Sequence, residues 1–479
     1  MIRRFDFCLL FFVLVLSGAA RGQTPQTASP AQAGGPDFNQ LSQEALGWLQ
    51  DLVRIDTTNP PGNELVAAKY VADILTREGI PNEILEMAPN RAMVVATLNA
   101  SIMSDPARAL LLLAHLDVVG VSRDKWSVDP FGAVIKDGYI YGRGTIDDKG
   151  MVAANLAAIV ALKRGGVALD RDVIFLADDD EEQGGDASIK PAIAKYWDKF
   201  AAGFALNEEG RVILKDGKVQ YVGIQASEKV STNVTVIATG ASGHASVPRP
   251  DNAVVHLAAA VGKIGAYSPP VNLTAIVERY FEALSKVEPD DTAKWMRALE
   301  TERKELAAKR LSEMSPVWNS MMRDTVAPTM LQAGVRANVV PSEARANLNI
   351  RLLPGDPIQS VIANMTSLVN DPQIRFEVAA DPGSPAPPSS LDSPLYHTIE
   401  QVSEQFFPGT VVTPFMSTGA TDSAQLRLHN VQAYGLLPFP LTEADVLRMH
   451  ADDERLPLDS FRKGVEFMYR VVNSFVVKK

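Results

Sequence analysis

Two histidines and a set of carboxylates stand at places in this chain where they could meet around a metal ion. The first pair is His115 and Asp117, in LLLLAHLDVV. An apolar strand ends there, and residues two apart on a strand share a face. An imidazole beside a carboxylate is the arrangement that orients a metal-binding histidine, with one nitrogen for the metal and the other donating to Asp117. In GRGTIDDKG, Asp147 and Asp148 lie side by side ahead of a helix. Such a pair also reads as a solvated helix cap, since a helix start favours negative charge by only about 0.3–1 kcal/mol. VIFLADDDEEQGG runs an apolar strand straight into five consecutive acids, Asp178 to Glu182. A solvated face is the ordinary reading of a charge run, but like charges held at the end of a strand need a cation. FALNEEG repeats the form with Glu208 and Glu209, and VLRMHADDERL places His450 on a loop before the last helix. Pooled, these imidazoles and carboxylates suit zinc, and two metals sharing a bridging carboxylate suit hydrolysis.

The elements that must carry these residues alternate along the chain. Short apolar runs at Met93–Leu98, Ala109–His115 and Asp172–Ala177 are interleaved with helical patterns such as GMVAANLAAIVALKRGG. Alternation of that kind predicts an α/β sandwich on a largely parallel sheet, whose functional residues collect at the carboxyl ends of the strands. The pattern changes after about Ser227. STNVTVIATG reads as a half-buried strand, PDNAVVHLAAAVGKIGAY as a helix, and DDTAKWMRALETERKELAAKRLSEM as a charged helical stretch, before two more strand-like runs. The expected organisation is therefore a catalytic domain over 40–226 and 381–479, with an α+β lid or dimerisation domain inserted over 227–380.

The first residues carry a leader pattern. Arg3 and Arg4 precede an apolar run from Phe7 to Leu16, followed by small residues. That predicts a signal peptide over 1–22, a linker over 23–39 and a secreted or periplasmic protein. The single cysteine, Cys8, sits in this segment, so the mature chain would have neither disulfides nor a catalytic thiol. A net charge of −11 argues against nucleic acid or an anionic membrane as partner. No later stretch is apolar for long enough to span a bilayer, so no stable membrane insertion is expected after cleavage.

From about Leu49 to the C-terminus, the metal motifs in this order, together with NPPGNE, WSVDPFGAVIKDGYIYGRGTIDDKG and GHASVP, resemble a zinc-dependent family. Its members include glutamate carboxypeptidase, aminoacylase, succinyl-diaminopimelate desuccinylase and carboxypeptidase S. YGLLPF is most similar to the carboxypeptidase S branch. The resemblance implies two zinc ions per chain, one on His115 and the other on His450, with Asp147 bridging and Glu182 and Glu208 completing the two shells. It implies that Asp117 supports His115 and that Glu181 is the general base. In the second domain it implies that His244 stabilises the oxyanion, usually from the partner subunit of a homodimer. Asn338, Arg351 and Gly419 would hold the substrate carboxylate. The chain departs from the family at Asn207-Glu208-Glu209-Gly210, where Glu209 stands as an alternative ligand, and at Asn349, where Asp is frequent. The expected activity is cleavage of an amide bond beside a free carboxylate, in a small peptide or N-acyl amino acid. The alternatives are a di-zinc aminopeptidase and a non-catalytic binding protein on the same fold.

Overall fold

Leu110–His115 and Val173–Asp178 are buried along their whole length, as strands covered on both faces must be. They lie at the centre of the structure, a computed structural model that describes residues 35–101, 103–380, 383 and 385–478. The expected leader and the linker residues 23–34 fall outside these. In chain order the first seven strands of the main sheet are β1 (Asn82–Ala88), β2 (Arg91–Leu98), β3 (Leu110–His115), β4 (Val173–Asp178), β5 (Phe204–Asn207), β6 (Arg211–Lys215) and β7 (Lys218–Glu228). Four more, β8 (Val230–Thr239), β9 (Thr325–Ala333), β10 (Glu343–Leu352) and β11 (Ile374–Val378), form a second sheet. The chain then returns to the first sheet with β12 (Val411–Ser417), β13 (Gln432–Gly435) and β14 (Pro440–Leu441).

The first sheet runs β1-β2-β4-β3-β5-β13-β7-β6-β14, with β12 beside β7. Its middle strands are parallel and its β1-β2 edge is antiparallel. Alternate residues of β3 enter different cores: Leu110, Leu112 and Ala114 pack into the larger one, Leu111 and Leu113 into the smaller. Helices Phe38–Arg54, Lys149–Gly165 and Leu458–Val476 pack on one another in the larger core. Helix Ile189–Phe200 contributes to the smaller one. This is the α/β/α sandwich that the alternation implied. The register sets His115 opposite Asp178 and Leu112 opposite Leu206, so the carboxyl ends of β4, β3 and β5 meet along one rim.

The second sheet, ordered β9-β10-β8-β11, is antiparallel. Helices Ala253–Gly265 and Ile358–Val369 cover it and share its own core. Residues 275–322, which the sequence pattern grouped with this unit, pack elsewhere. Ile276, Tyr280, Phe281, Met296, Leu311 and Met321 belong to the larger core of the first sheet, and helix Ala275–Leu284 lies against β12. The charged stretch expected as one helix breaks into Asp290–Ala298 and Lys304–Met314. Thr301 is the cause: its hydroxyl donates to the Ala298 carbonyl at 2.8 Å and accepts from the Arg303 amide at 3.2 Å, local bonds that compete with the helix ladder.

Candidate metal centre

Three strand ends and two loops deliver the site. His115 closes β3, Glu181 and Glu182 follow β4 in a short 3₁₀ turn, and Glu208 follows β5. Asp147 comes from the glycine-rich loop ahead of helix Lys149–Gly165, and His450 from the loop before strand Arg455–Pro457. The Asp147 carboxylate lies between the two imidazoles. One oxygen is 2.9 Å from His115 Nε2 and the other 2.9 Å from His450 Nε2. Each imidazole has a further carboxylate of its own: Glu208 at 3.6 Å from His115 Nε2, and Glu182 at 3.2 Å from His450 Nε2. The five residues thus form two sets that share Asp147. Taken by mutual distance alone, His115 groups with Asp147 and Glu182 and also with Asp148 and Glu208, all ligand atoms lying within 4.8 Å of one another. Asp148 is the weaker candidate ligand, because one of its oxygens is turned to the backbone amide of His115 at 3.3 Å.

Glu208 and Glu209 are separated by the backbone. Glu209 has φ of +69°, and its side chain turns away to accept from the Ser417 hydroxyl at 2.9 Å. Glu208 is the one that faces His115. On its other side, His115 Nδ1 is 2.9 Å from the Asp117 carbonyl oxygen and 3.4 Å from its carboxylate. The orienting bond therefore runs chiefly to the backbone of Asp117, and it leaves Nε2 toward Asp147. The Asp117 carboxylate instead accepts from Asn59 Nδ2 at 2.8 Å and from the Glu182 amide at 3.2 Å, which ties the two metal arms together.

The electrostatics of this cluster ask for a cation. Burial, opposed by His115, pushes Glu208 up to about 8. Burial and the neighbouring Glu208 hold Glu181 well above the usual carboxylate range. His450 is pushed up to about 10 by its bonds to Asp147 and Glu182. Burial alone would lower His115, but Glu208, Asp117 and Asp147 override it and hold the ring well above its ordinary value. One oxygen each of Glu182, Glu208 and Asp148 is buried without a hydrogen-bond partner. Buried carboxylates left so are expensive unless a metal binds them, so the residues present fit a metal pair.

The residues expected in the second sheet's domain are not gathered here. His244 is exposed, and its ring contacts Ser246 at 2.7 Å. Asn338 is also exposed, close to His244, and its carbonyl accepts from the Ala245 amide at 3.0 Å. Arg351 is half-buried on β10 opposite Ser231, donating to Asn349 at 3.0 Å. Gly419 donates its amide to Ser417 Oγ at 2.9 Å. Among the described residues, no contact joins His244 or Asn338 to the metal centre of the same chain.

Several residues that hold the site were assigned no role by the sequence. Asn59, inside NPPGNE, bridges Asp117 and Asp180 at 2.8 Å each. Arg91 fixes it from β2 at 3.1 Å and pairs with Asp180 at 2.7 Å. Glu454 does the same for the Asp147 loop. Fully buried, it accepts from Arg143 at 2.7 Å, Ile146 N at 2.8 Å, and Gly144 N and Asp147 N at 3.2 Å. The proximity of Glu454 to His450 was the available clue, since four residues join a ligand to the group that anchors the bridging loop. Glu454→Ala would leave a buried guanidinium and three amides unpaired. It should cost about 3–5 kcal/mol in denaturant unfolding and lower metal content; unchanged stability and metal content would remove Glu454 from this role.

The chain and its fold have counterparts. The family model for peptidase family M20/M25/M40 matches residues 111–474. The probable carboxypeptidase S-like 2 of Dictyostelium discoideum is 30% identical over 396 residues, covering 78% of this chain and 72% of that protein. The human N-fatty-acyl-amino acid synthase/hydrolase PM20D1 is 29% identical over 384 residues, covering 78% and 75%. In fold, the M20 family metallo-carboxypeptidase Sso-CP2 of Sulfolobus solfataricus superposes with a TM-score of 0.68 at 19% identity, over 90% of this chain and 99% of that one. A Bacillus subtilis protein described as a dinuclear metal-binding peptidase of the M20 family gives 0.56 at 14% identity, over 91% and 98%. A match over most of the chain, together with a two-histidine, multi-carboxylate cluster on the strand rim, makes the protein a member of the M20/M25/M40 family of metallopeptidases and amidohydrolases.

Proposed function

We propose that the chain is a secreted di-zinc hydrolase that cleaves an amide bond beside a free carboxylate, as a carboxypeptidase, dipeptidase or N-acyl amino acid hydrolase. The observation that carries this reading is the Asp147 carboxylate set between two imidazoles, each with its own glutamate. His115, Asp147 and Glu208 would hold one zinc, and His450, Asp147 and Glu182 the other. When bound, the metal pair supplies a Lewis acid that polarises the scissile carbonyl and acidifies water. Glu181 takes the proton from the attacking water and delivers it to the leaving nitrogen. Its buried position, which favours the protonated form, suits the second of these tasks. Arg351, Asn338 and Gly419 receive the free carboxylate, the guanidinium offering a two-point fork. The names of the relatives, a probable carboxypeptidase S-like protein and an N-fatty-acyl-amino acid synthase/hydrolase, agree with substrates of this class.

A homodimer accounts for the exposed His244. β9 is the free edge of the second sheet, and Met330 and Leu331 on it are 57% and 64% exposed. An apolar, unpaired edge strand favours strand-to-strand association, which would bring His244 of the partner subunit to this chain's metal centre. Secretion rests on the leader pattern alone, and N-terminal sequencing of the mature protein tests it.

Metal uptake should be coupled to proton loss. Both imidazoles carry raised pKa values in the metal-free protein, His450 to about 10, so near pH 7 they are protonated and must lose those protons to ligate. Affinity for zinc should therefore rise with pH, and calorimetry in two buffers of different ionisation heat should detect protons released on binding. Removing the metal should abolish hydrolysis of N-acyl amino acids and dipeptides. Full turnover by metal-free protein would sink the hydrolase reading.

The adjacent glutamates should behave differently. Glu181→Gln should keep its metals and lose roughly 10²–10⁴-fold in kcat, whereas Glu182→Ala should lose metal. If metal analysis finds both variants loaded and only Glu182→Ala is inactive, the two roles are reversed.

His244→Ala should lower kcat by roughly 10²–10³ with metal content intact, the effect of losing one oxyanion donor. Co-expressed with Glu181→Ala, it should regain activity, because a mixed dimer assembles one complete site. Isolated mixed dimers without recovery would place His244 outside the partner's site.

A further inference from the structure

A cavity of about 280 Å³ lies behind Glu181, and none of His115, Asp147, Glu182, Glu208 or His450 lines it. Resting on the hydrolase reading above, we propose that this cavity receives the side chain of the amino acid released by hydrolysis, and that Gln425 sets its preference for an uncharged side chain.

Position supports the assignment. Glu181 delivers the proton to the leaving nitrogen, so the atoms attached to that nitrogen lie on the Glu181 side of the scissile bond. The cavity's walls also include Ala420 and Thr421, next to Gly419, and Ser231, the strand partner of Arg351. Two of the three groups expected at the free carboxylate, Arg351 and Gly419, therefore adjoin residues of the same cavity wall. An α-carboxylate and a leaving nitrogen placed on either side of the cavity leave the intervening side chain to enter it. The volume accommodates an aliphatic, aromatic or carboxamide side chain.

Most of the charges on the walls are already matched. Glu228 accepts from Arg427 at 2.6 Å, from Gln225 at 2.8 Å, and from the Thr421 hydroxyl and amide at 2.9 and 3.1 Å. Lys229 directs its amine away, to the carbonyls of Ser320 and Arg323 at 3.0 and 2.8 Å. Asp186 and Lys190 pair with each other at the rim. Asp422 is buried against Asp178, and burial holds it above the usual carboxylate range. Among the described wall residues, what remains uncommitted is Glu181, which the reaction uses, one oxygen of Asp422, and otherwise neutral groups. The Gln425 carboxamide, half-buried on helix Ser423–Leu428, and the Ser231 hydroxyl make no hydrogen bond among the described residues. An anionic side chain entering here would lose water and find only lysines already bonded elsewhere, and a cationic one would meet an Asp422 carboxyl that burial holds toward its neutral form, so both are costly. A neutral one would lose less and could bond Gln425.

The test is a panel of amino acids carrying one common N-acyl group, hydrolysed by the zinc-loaded full chain. Leu and Gln should exceed Glu and Lys by about tenfold or more in kcat/KM. Gln425→Glu should raise Lys relative to Leu by about tenfold, and Gln425→Lys should do the same for Glu, with metal content unchanged. A purely structural role for Gln425 would change all substrates together and leave these ratios alone. Equal hydrolysis of charged and neutral substrates by the wild type overturns the proposal, whether or not the variants fold. Unchanged ratios in both folded variants overturn the part assigned to Gln425. Failure to hydrolyse any N-acyl amino acid or dipeptide would sink the hydrolase reading and this inference with it, whereas turnover without discrimination sinks this inference alone.

Discussion

Asp147 offers one oxygen to His115 and the other to His450, and nearly every feature of the catalytic domain can be traced to keeping that carboxylate in place. It must be held against repulsion from Glu182 and Glu208, which stand in the same two sets. The holding is done from behind, by Glu454, which accepts the backbone amides of the loop's Gly144, Ile146 and Asp147 and the guanidinium of Arg143. Arg143 also reaches the carbonyl of His450 at 3.3 Å. The bridging loop and the His450 loop, more than 300 positions apart, are thus one construction. A buried carboxylate that organises backbone amides is stable only when all its lone pairs are used, and here they are.

The opposite side of the centre follows the same rule with different parts. Asp117 joins His115 to the Glu182 amide, Asn59 joins Asp117 to Asp180, and Arg91 closes the ring. Acids that would repel one another are spaced by amides and a single guanidinium. Glu182 and Glu208 each turn one oxygen to an imidazole and, like Asp148, keep a second oxygen buried without a hydrogen-bond partner. Anions supported from behind and partly unsatisfied make a site suited to a metal ion.

The second sheet's domain is attached more firmly than two linkers would allow. Helices between 275 and 322 leave that domain, enter the larger core of the first sheet, and return at Arg323 to meet Lys229. Lys229 begins the passage into β8, and its amide donates to the Ser417 carbonyl at 3.1 Å. The base of β8, the returning chain and the loop bearing Gly419 are therefore joined around one buried amine. This packing favours a fixed orientation of the inserted domain, in which His244 and Asn338 remain exposed.

The metal-centre residues were legible in the sequence because they sit where local patterns change: His115 and the Asp178–Glu182 run at the ends of apolar strands, Asp147 in a glycine-rich loop, His450 before a helix. Period and punctuation are local properties, so the α/β alternation and the chemistry of these ends could be read along the chain. Choosing Glu208 over Glu209 was not local: it depends on a left-handed backbone at Glu209 and on Ser417 from β12. Asn59, Arg91 and Glu454 were equally hidden, since each acts only on residues brought to it from distant segments. The same holds for residues 275–322, whose amphipathic helices could have covered either sheet. A sequence states which faces are apolar and which ends are charged. Which faces meet, and which buried charge finds its partner, is decided by long-range packing, where the cost of an unpaired group selects one arrangement.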